Sequence, residues 1–317
     1  MRILFRCDAN QVIGIGHVVR CLAIGKEMVK SGHEVSFFSE IEDQPFLLSL
    51  FAQNGFEIFN PKKLEEFIEG NLGNCEMRLV LDLVGHLEDL VKIRKTKIKI
   101  LQFLNSLEQI NSIDIFISAG IKPKWVSEDA FQEQQYFYGT EYLIFPQALV
   151  EAKRKIIESN NLVISLGGGN MDRFLREIID YLVSQKVENK ILIYSSTGQS
   201  RSIIEESKLN IEFRQLSEEF YTAAAAAKKV ICAAGTTIYQ MLFLEKRTLM
   251  CKVVENQDSN FDFILNSGFA SGISVNFSNN IDELTIFRDF LTEEKNYNKI
   301  KFDDLGISRI ISLVERI

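Results

Sequence analysis

The stretch Arg6-Cys7-Asp8, followed by Gly14-Ile15-Gly16-His17-Val18-Val19-Arg20, decides the fold because it joins an apolar strand to a helix through a glycine loop. The apolar run 2–7 predicts a buried strand, and apolar residues then recur at helical spacing until Gly32. Glycines let the backbone turn sharply, and the N–H groups at the start of a helix favour an anion in front of them. The sequence therefore predicts a ligand-binding loop with His17 at the start of the first helix.

This loop does not fit the dinucleotide-binding fingerprint, because the third glycine is expected at position 19, which is Val19. A Rossmann oxidoreductase is therefore disfavoured. His17 is either a general base facing the ligand or a helix cap without chemistry. The charged residues Arg6, Asp8 and Arg20 around it favour the first reading, and we expect the Asp8 carboxylate to hold the imidazole.

Length and composition exclude several classes of protein. The 317 residues fit two domains of about 150 residues each. The formal net charge is -7, with no basic stripe to follow a phosphate backbone, so no nucleic-acid partner is expected. No apolar run approaches the ~20 residues of a membrane span and no signal segment is visible, so we expect a cytoplasmic protein. The five cysteines suit reduced core thiols, and neither a metal site nor a cofactor is predicted. The oligomeric state stays open.

Apolar runs alternate with helical segments in two series, which is typical of parallel sheets covered on both faces. The predicted strands are 2–7, 34–39, 56–59, 78–83, 98–103 and 114–118, then 162–166, 190–195, 211–214, 229–233 and 247–253. Prolines and a polar, aromatic stretch interrupt the rhythm over residues 119–160, and 147–160 is predicted as a helical connector. We predict an α/β protein with Rossmann-like domains at 1–145 and 146–317, the last helix being a candidate to pack back on the N-terminal domain.

The second series repeats the order of strand, glycine loop and helix. Hydroxyls and helical N–H groups at positions 235–237 can hold a diphosphate, and Gln240 lies one helical turn further, where its amide can reach a ribose hydroxyl. Asn256 and Gln257 follow another strand, although a helix cap explains an asparagine there equally well. The predicted nucleotide-binding residues are Gly168, Gly169, Asn170, Gly235, Thr236, Thr237, Gln240, Asn256 and Gln257.

Together these motifs resemble the GT-B nucleotide-sugar enzymes, and the second half resembles the C-terminal domain of the MurG-type glycosyltransferases. The opening, 6–8 and 14–20, is similar to the family of the UDP-sugar hydrolase of pseudaminic acid biosynthesis, and spore-coat polysaccharide proteins share it. The resemblance implies the GT-B fold, in which two Rossmann-like domains face each other across a cleft. It also implies that the first domain handles the sugar and the second holds the nucleotide.

In that hydrolase family the histidine of the Gly-x-Gly-His motif acts on water at the anomeric carbon of UDP-2,4-diacetamido-2,4,6-trideoxy-altrose, and UDP leaves without help from a metal. The resemblance assigns this role to His17. We expect Arg6, Gly14, Gly16 and Arg20 to contact the sugar.

Three positions depart from the family pattern. Gln240 replaces a glutamate, Val84 replaces the tyrosine of an Asp-x-Tyr sequence that begins here at Asp82, and the stretch 101–105 lacks a pair of aspartates. The leading prediction is a nucleotide-sugar hydrolase. A glycosyltransferase that uses the same histidine on an acceptor hydroxyl, and a non-catalytic nucleotide-sugar binding protein, are the alternatives.

Overall fold

A computed structural model describes residues 1–10, 13–42, 44–84, 90–105, 113–124, 126, 131, 135–155, 157–167, 171–195, 207–293 and 296–317, apart from the side chains of residues 90, 91 and 256. The chain forms two compact units. The first is Met1–Pro146 with Asp303–Ile317, and the second is Gln147–Phe302. Each unit contains one parallel sheet with helices, so the predicted α/β class is confirmed.

The first unit is built on a seven-stranded parallel sheet with the strand order β3-β2-β1-β4-β5-β6-β7. Its elements are β1 Arg2–Cys7, α1 Gly16–Lys30, β2 Glu34–Phe38, α2 Pro45–Gln53, β3 Ile58–Phe59, α3 Leu64–Asn71, β4 Met77–Asp82, α4 Leu90–Lys95, β5 Lys99–Phe103, β6 Ile115–Ala119 and β7 Gln135–Gly139. Strand β7 lies in the stretch where the sequence suggested a break. It is an edge strand of three consecutive aromatic residues between Gln135 and Gly139, so no run of aliphatic residues marks it.

The central strands of this sheet are apolar on both faces. In β4 all six residues are buried, including the final Asp82. On one face, Phe5 stacks on Phe37 with ring centroids 4.9 Å apart. Helix α1 covers this face closely at Gly25, where an added Cβ would lie 2.9 Å from the Phe37 ring. This close approach lets the middle of α1 pack directly against β2.

The second unit contains a six-stranded parallel sheet with the order β10-β9-β8-β11-β12-β13. Its elements are α5 Gln147–Arg154, β8 Ser159–Ser165, α6 Asp172–Ser184, β9 Ile191–Ser195, β10 Ile211–Gln215, α7 Glu219–Ala226, β11 Ala227–Ala233, α8 Thr236–Phe243, β12 Arg247–Lys252, α9 Asp258–Asn266, β13 Ser271–Ser274 and α10 Ile281–Thr292. One large apolar cluster packs α6 and α10 against β8, β9, β11 and β12.

The predicted connector helix in this unit was wrong in its length, and an alanine run departs from its local propensity. The connector helix ends at Arg154, and β8 already begins at Ser159, so the predicted helix 147–160 is too long. Of the five consecutive alanines, the last starts strand β11 instead of continuing the helix. Alanine propensity favours a helix at Ala227, but pairing with β8 decides the conformation there.

The C-terminal segment 303–317 belongs to the first unit, where helix α11, Gly306–Arg316, packs against α1. The His33 Nε2 atom lies 2.8 Å from the Glu315 carboxylate, and Arg309 donates to the Glu141 carbonyl at 2.8 Å. The first helical residue has to be a glycine, since a Cβ on Gly306 would lie 1.9 Å from the Leu143 carbonyl oxygen.

Both sheets have their topological switch point between the first strand and the fourth. The chain leaves β1 toward β2 on one side, and β4 with the later strands lies on the other side. The second unit repeats this arrangement with β8 and β11. Open α/β sheets bind ligands at the carboxyl ends of the strands at this point. The residues that follow β1, β4, β8 and β11 are therefore the candidates for ligand binding.

Candidate active site

A histidine and a buried aspartate meet at the switch point of the first unit. His17 is the second residue of α1, and Asp82 is the last residue of β4, the strand beside β1. The His17 Nδ1 atom lies 2.7 Å from Asp82 Oδ1. The aspartate side chain has no exposed surface, whereas 13% of the histidine side chain is exposed. The imidazole thus contacts a buried carboxylate on one side and is partly exposed at the carboxyl ends of the strands.

This hydrogen bond sets the proton position on the ring. An ionised carboxylate only accepts, so Nδ1 carries the hydrogen and the neutral ring leaves the Nε2 lone pair free to take a proton. The Arg20 Nη2 atom also lies 3.1 Å from Nδ1. Both of those nitrogens are donors in this tautomer, and we therefore assign the bond to Asp82. The arrangement is that of a general base oriented by a carboxylate.

The Asp82 carboxylate is surrounded by donors. Arg20 donates to both oxygens, Asn105 Nδ2 donates to Oδ1 at 3.1 Å, and Cys21 Sγ lies 3.6 Å from Oδ2. Burial alone would raise the pKa of Asp82, but the charge and hydrogen bonds of Arg20 and His17 outweigh it and hold this pKa below its ordinary range. The Asp82 carboxylate is therefore ionised at neutral pH.

Arg20 is the counter-ion of this site. Burial would lower its pKa, but the neighbouring Asp82 carboxylate more than compensates, and the Arg20 pKa is raised. The guanidinium carbon lies 4.7 Å from the centroid of the Phe103 ring, a cation–π distance. The described contacts of Arg20 hold Asp82 in place, and its predicted contact with a sugar stays a prediction.

The predicted pairing of Asp8 with His17 was wrong. The Oδ1 atom of Asp8 forms an ion pair with Arg6 and accepts from the Glu40 backbone N–H at 2.7 Å. These contacts tie the end of β1 to the segment after β2. Asp82 holds the histidine instead, because β4 is the neighbour of β1 on the side over which α1 starts.

The glycine loop shapes the start of the helix. Gly14 has a φ of +76°, the left-handed region that favours glycine, and Gly16 is the first helical residue. The N-cap position is Ile15, which has no side-chain capping bond. The alternative that His17 serves as a helix cap is therefore wrong, since its side chain bonds to Asp82.

Sequence reasoning missed Asp82 and Asn105 as site residues. A signal was present in the strand 78–83, where one acidic residue interrupts an otherwise buried apolar run at its carboxyl end. Charged residues are almost never fully buried unless they are paired, so such an aspartate needs a partner. Asn105 gave no comparable signal, because it stands alone after β5.

The second unit places hydroxyls at its own switch point. Gly235 is the N-cap of α8, and Thr236 and Thr237 are the first two helical residues, directly after β11. All three residues are partly exposed. The N–H groups of a first helical turn carry partial positive charge, and threonine hydroxyls add donors beside them. This helix start can bind a phosphate group.

Gln240 lies one turn further along α8 and is buried, with 8% of its surface exposed. Its Nε2 atom is 3.5 Å from the Tyr221 hydroxyl, whose pKa burial raises above its ordinary value. Gln240 is thus no ordinary surface glutamine. Its predicted contact with a ribose stays a prediction.

The remaining nucleotide-binding predictions fall in part outside the described residues. Gly168, Gly169 and Asn170 lie outside them, as does the side chain of Asn256. Gln257 ends a short 3-10 helix, and its Oε1 accepts from the Val253 backbone N–H at 3.0 Å. This bond orders the turn after β12, next to Gly235, where an added Cβ would lie 3.7 Å from Gln257 Nε2.

The described residues contain neither a metal-binding cluster nor a membrane-spanning helix. In that part of the chain, no cluster of three or more histidine, cysteine, aspartate or glutamate side chains could hold a metal ion. Across the same residues, no helix is long and apolar enough to cross a membrane.

Two curated proteins resemble the sequence, while no protein-family profile matches it. The chain is 24% identical over 283 residues to the UDP-2,4-diacetamido-2,4,6-trideoxy-beta-L-altropyranose hydrolase of Campylobacter jejuni, an alignment that covers 85% of this chain and 98% of the relative. It is 26% identical over 198 residues to an uncharacterized protein of Methanocaldococcus jannaschii. That match covers 58% of this chain but only 40% of the archaeal protein.

Solved structures match over the full chain. MurG of Acinetobacter baumannii superposes with a TM-score of 0.60 at 15% identity, covering 100% of this chain and 99% of MurG. The UDP-GlcNAc 2-epimerase of Neisseria meningitidis, solved with UDP-GlcNAc bound, gives a TM-score of 0.67 at 10% identity and covers 100% of both chains. At these identities the likeness concerns the fold, and the two Rossmann-like parallel sheets agree with it. The chain therefore has the GT-B fold predicted from its sequence.

Proposed function

We propose that this protein is an enzyme that hydrolyses a nucleotide sugar and releases UDP, with His17 as the general base. The observation that carries the proposal is the 2.7 Å bond from His17 Nδ1 to the buried Asp82, which leaves Nε2 able to accept a proton. The similarity to the Campylobacter hydrolase over 85% of this chain supports the same reaction class. The proposed substrate class is a UDP-2,4-diacetamido-2,4,6-trideoxyhexose.

The proposed reaction is a displacement at the anomeric carbon. A water oxygen attacks that carbon while His17 Nε2 takes the water proton, and the bond from the carbon to the diphosphate oxygen breaks with its electron pair going to UDP. The resulting imidazolium lies against Asp82, which keeps its negative charge because its pKa is held low. Orientation and charge stabilisation by such a carboxylate are the roles that a histidine base requires.

The departing diphosphate needs a site that stabilises negative charge. We assign it to the start of α8, where Gly235, Thr236 and Thr237 offer backbone N–H groups and hydroxyls. Fixed dipoles of this kind favour the charge that grows on a leaving group. The proposed reaction therefore runs without a metal, as the resemblance to the hydrolase family implies.

A substrate panel tests the proposal and separates it from its alternatives. The protein is incubated with UDP- and CMP-sugars, with and without acceptor, and free nucleotide and sugar product are measured. Release of UDP in the absence of acceptor supports hydrolysis. Release that requires an acceptor indicates a glycosyltransferase, and binding without turnover indicates a nucleotide-sugar binding protein, so either result contradicts the proposal.

The variant His17→Asn tests the base directly. Asparagine is polar and fits the helix, but it cannot take the proton, so kcat should fall about 10²–10⁴-fold. UDP affinity measured by calorimetry should stay unchanged, since the assigned nucleotide residues are in the second unit. His33→Asn is the matched control, because it removes a second imidazole–carboxylate pair among the described residues of the first unit, the one with Glu315. Full activity of His17→Asn would remove the base from the mechanism.

A further inference from the structure

We propose that Asn105 is a positioning residue for the histidine base, because its amide locks the Asp82 carboxylate in the orientation that keeps the proton on His17 Nδ1. The inference rests on the proposed function for its effect on turnover. Its effect on the imidazole itself can be measured without any substrate.

The hydrogen bonds of Asn105 fit one orientation of its amide. The Nδ2 group donates to Asp82 Oδ1 at 3.1 Å and to the Leu83 carbonyl at 2.9 Å, and this uses both of its hydrogens. The Oδ1 atom accepts from Arg20 Nη2 at 3.2 Å. A flipped amide would set its oxygen against two acceptors and its hydrogens against a donor. The network therefore selects this rotamer.

Asn105 holds the same oxygen that orients His17. Asp82 Oδ1 accepts from His17 Nδ1 and from Asn105 Nδ2, and Arg20 bridges both carboxylate oxygens. Rotation of the carboxylate would break these bonds together, including the one from Asn105, which is anchored to the backbone through Leu83. Through its bonds to Leu83 and Asp82, Asn105 thus links the backbone after β4 to the carboxylate that orients the imidazole.

The neutral amide also fits the charge of the site. Among the described residues, His17, Arg20 and Cys21 interact with the Asp82 carboxylate, and the Cys7 thiol lies near Arg20 and Cys21. Arg20 balances Asp82, and burial raises the pKa of Cys21 well above its ordinary value, so that thiol is neutral. A carboxylate at position 105 would face Asp82 and the Leu83 carbonyl and would add a negative charge. That charge would favour the protonated imidazole, so the base form would appear only at higher pH.

Two variants and a control test the inference in kinetic assays. Asn105→Ala removes the anchor and should lower kcat about tenfold with KM little changed, as expected for one hydrogen bond to a charged group. Asn105→Asp should shift the acid limb of the pH–rate profile to higher pH. Asn74→Asp adds the same charge at an exposed position of the first unit and should do neither. A wild-type kcat in Asn105→Ala, or an unshifted profile in Asn105→Asp, overturns the inference.

A nuclear magnetic resonance experiment makes the inference independent of turnover. The ring ¹⁵N shifts of His17 report which nitrogen carries the proton, and the wild type should show Nδ1–H alone. Asn105→Ala should show a mixture of the two tautomers, while His33 in the same sample serves as the reference ring. Should the wild type hydrolyse no sugar nucleotide, the proposed function fails, whereas an unchanged His17 tautomer in Asn105→Ala would overturn the role of Asn105 alone.

Discussion

The variant Asp82→Asn is the most informative perturbation, because this carboxylate joins the fold to the proposed chemistry. An amide cannot replace it in either orientation. If the NH2 group takes the Oδ2 position, it faces the Nε–H donor of Arg20. If it takes the Oδ1 position, it faces the Nδ1–H donor of His17 and the amide donor of Asn105. Each orientation sets donors against donors and leaves the partly buried Arg20 without its counter-ion.

The expected loss of stability follows from that unpaired cation. Breaking a buried ion pair by removing one partner lowers the free energy of unfolding by about 3–5 kcal/mol. We expect a value near the lower end, about 3 kcal/mol, because the amide oxygen keeps part of the hydrogen bonding. The measurement is urea unfolding followed by circular dichroism. His33→Asn is the control, since its partner Glu315 is half-exposed and surface pairs contribute little.

The pH dependence of the free energy of unfolding gives a second expectation, whose direction follows from the pKa of Asp82. The pKa of Asp82 is lower in the folded protein than in the unfolded chain, where it is about 3.9. Its stabilising contribution is therefore fully present above that pH and is lost as the pH falls toward the folded pKa. The difference in unfolding free energy between wild type and Asp82→Asn should narrow by about 1.4 kcal/mol per pH unit below about pH 4.

Turnover completes the test of Asp82. The variant should hydrolyse poorly even where it is fully folded. The proton of the His17 ring is then no longer held on Nδ1, and in the other tautomer Nε2 carries the hydrogen and cannot accept a proton. UDP affinity should not change. An Asp82→Asn protein with wild-type urea midpoint and wild-type kcat would refute the reasoning about both stability and catalysis.

Two further predictions concern the second unit. Thr236→Arg should abolish UDP binding in calorimetry, because a bulky side chain then occupies the start of α8. Thr285→Arg in α10 serves as the control. An unchanged UDP affinity of Thr236→Arg would mean that the nucleotide does not bind at this helix start. Gln240→Glu should strengthen UDP binding roughly fivefold, because a carboxylate accepts ribose hydroxyl bonds better than an amide by about 1 kcal/mol. Equal or weaker affinity would mean that Gln240 does not touch the ribose and instead serves Tyr221.

Most of the central strands could be predicted from the sequence because each is marked by its own run of apolar residues. Runs such as β1, β4 and β11 are apolar on both faces, and that pattern needs no knowledge of the rest of the chain. Of the four edge strands, β3 and β10 were predicted, whereas β7 and β13 have no continuous aliphatic run and escaped prediction. Ala227 shows the converse case, in which pairing overrides a strong local preference for helix.

The site was only half predictable for the same reason. His17 follows a glycine loop, and such a loop is legible as a motif. Its partner was assigned to Asp8 by nearness in sequence, whereas Asp82 is 65 positions away and becomes the partner through the pairing of β1 with β4. Strand order is a tertiary property, so the choice between two aspartates could not be made from spacing.

The two units share one strand order around the switch point but differ in the side chains that follow their strands there. In each, a helix starts at the carboxyl end of a strand at the switch point, α1 after β1 and α8 after β11. The first helix start presents an imidazole held by the buried Asp82, an arrangement suited to moving a proton. The second presents hydroxyls and backbone N–H groups, an arrangement suited to holding an anion. If the proposed function is right, a substitution at the start of α1 should lower turnover and spare UDP affinity, whereas a substitution at the start of α8 should lower UDP affinity.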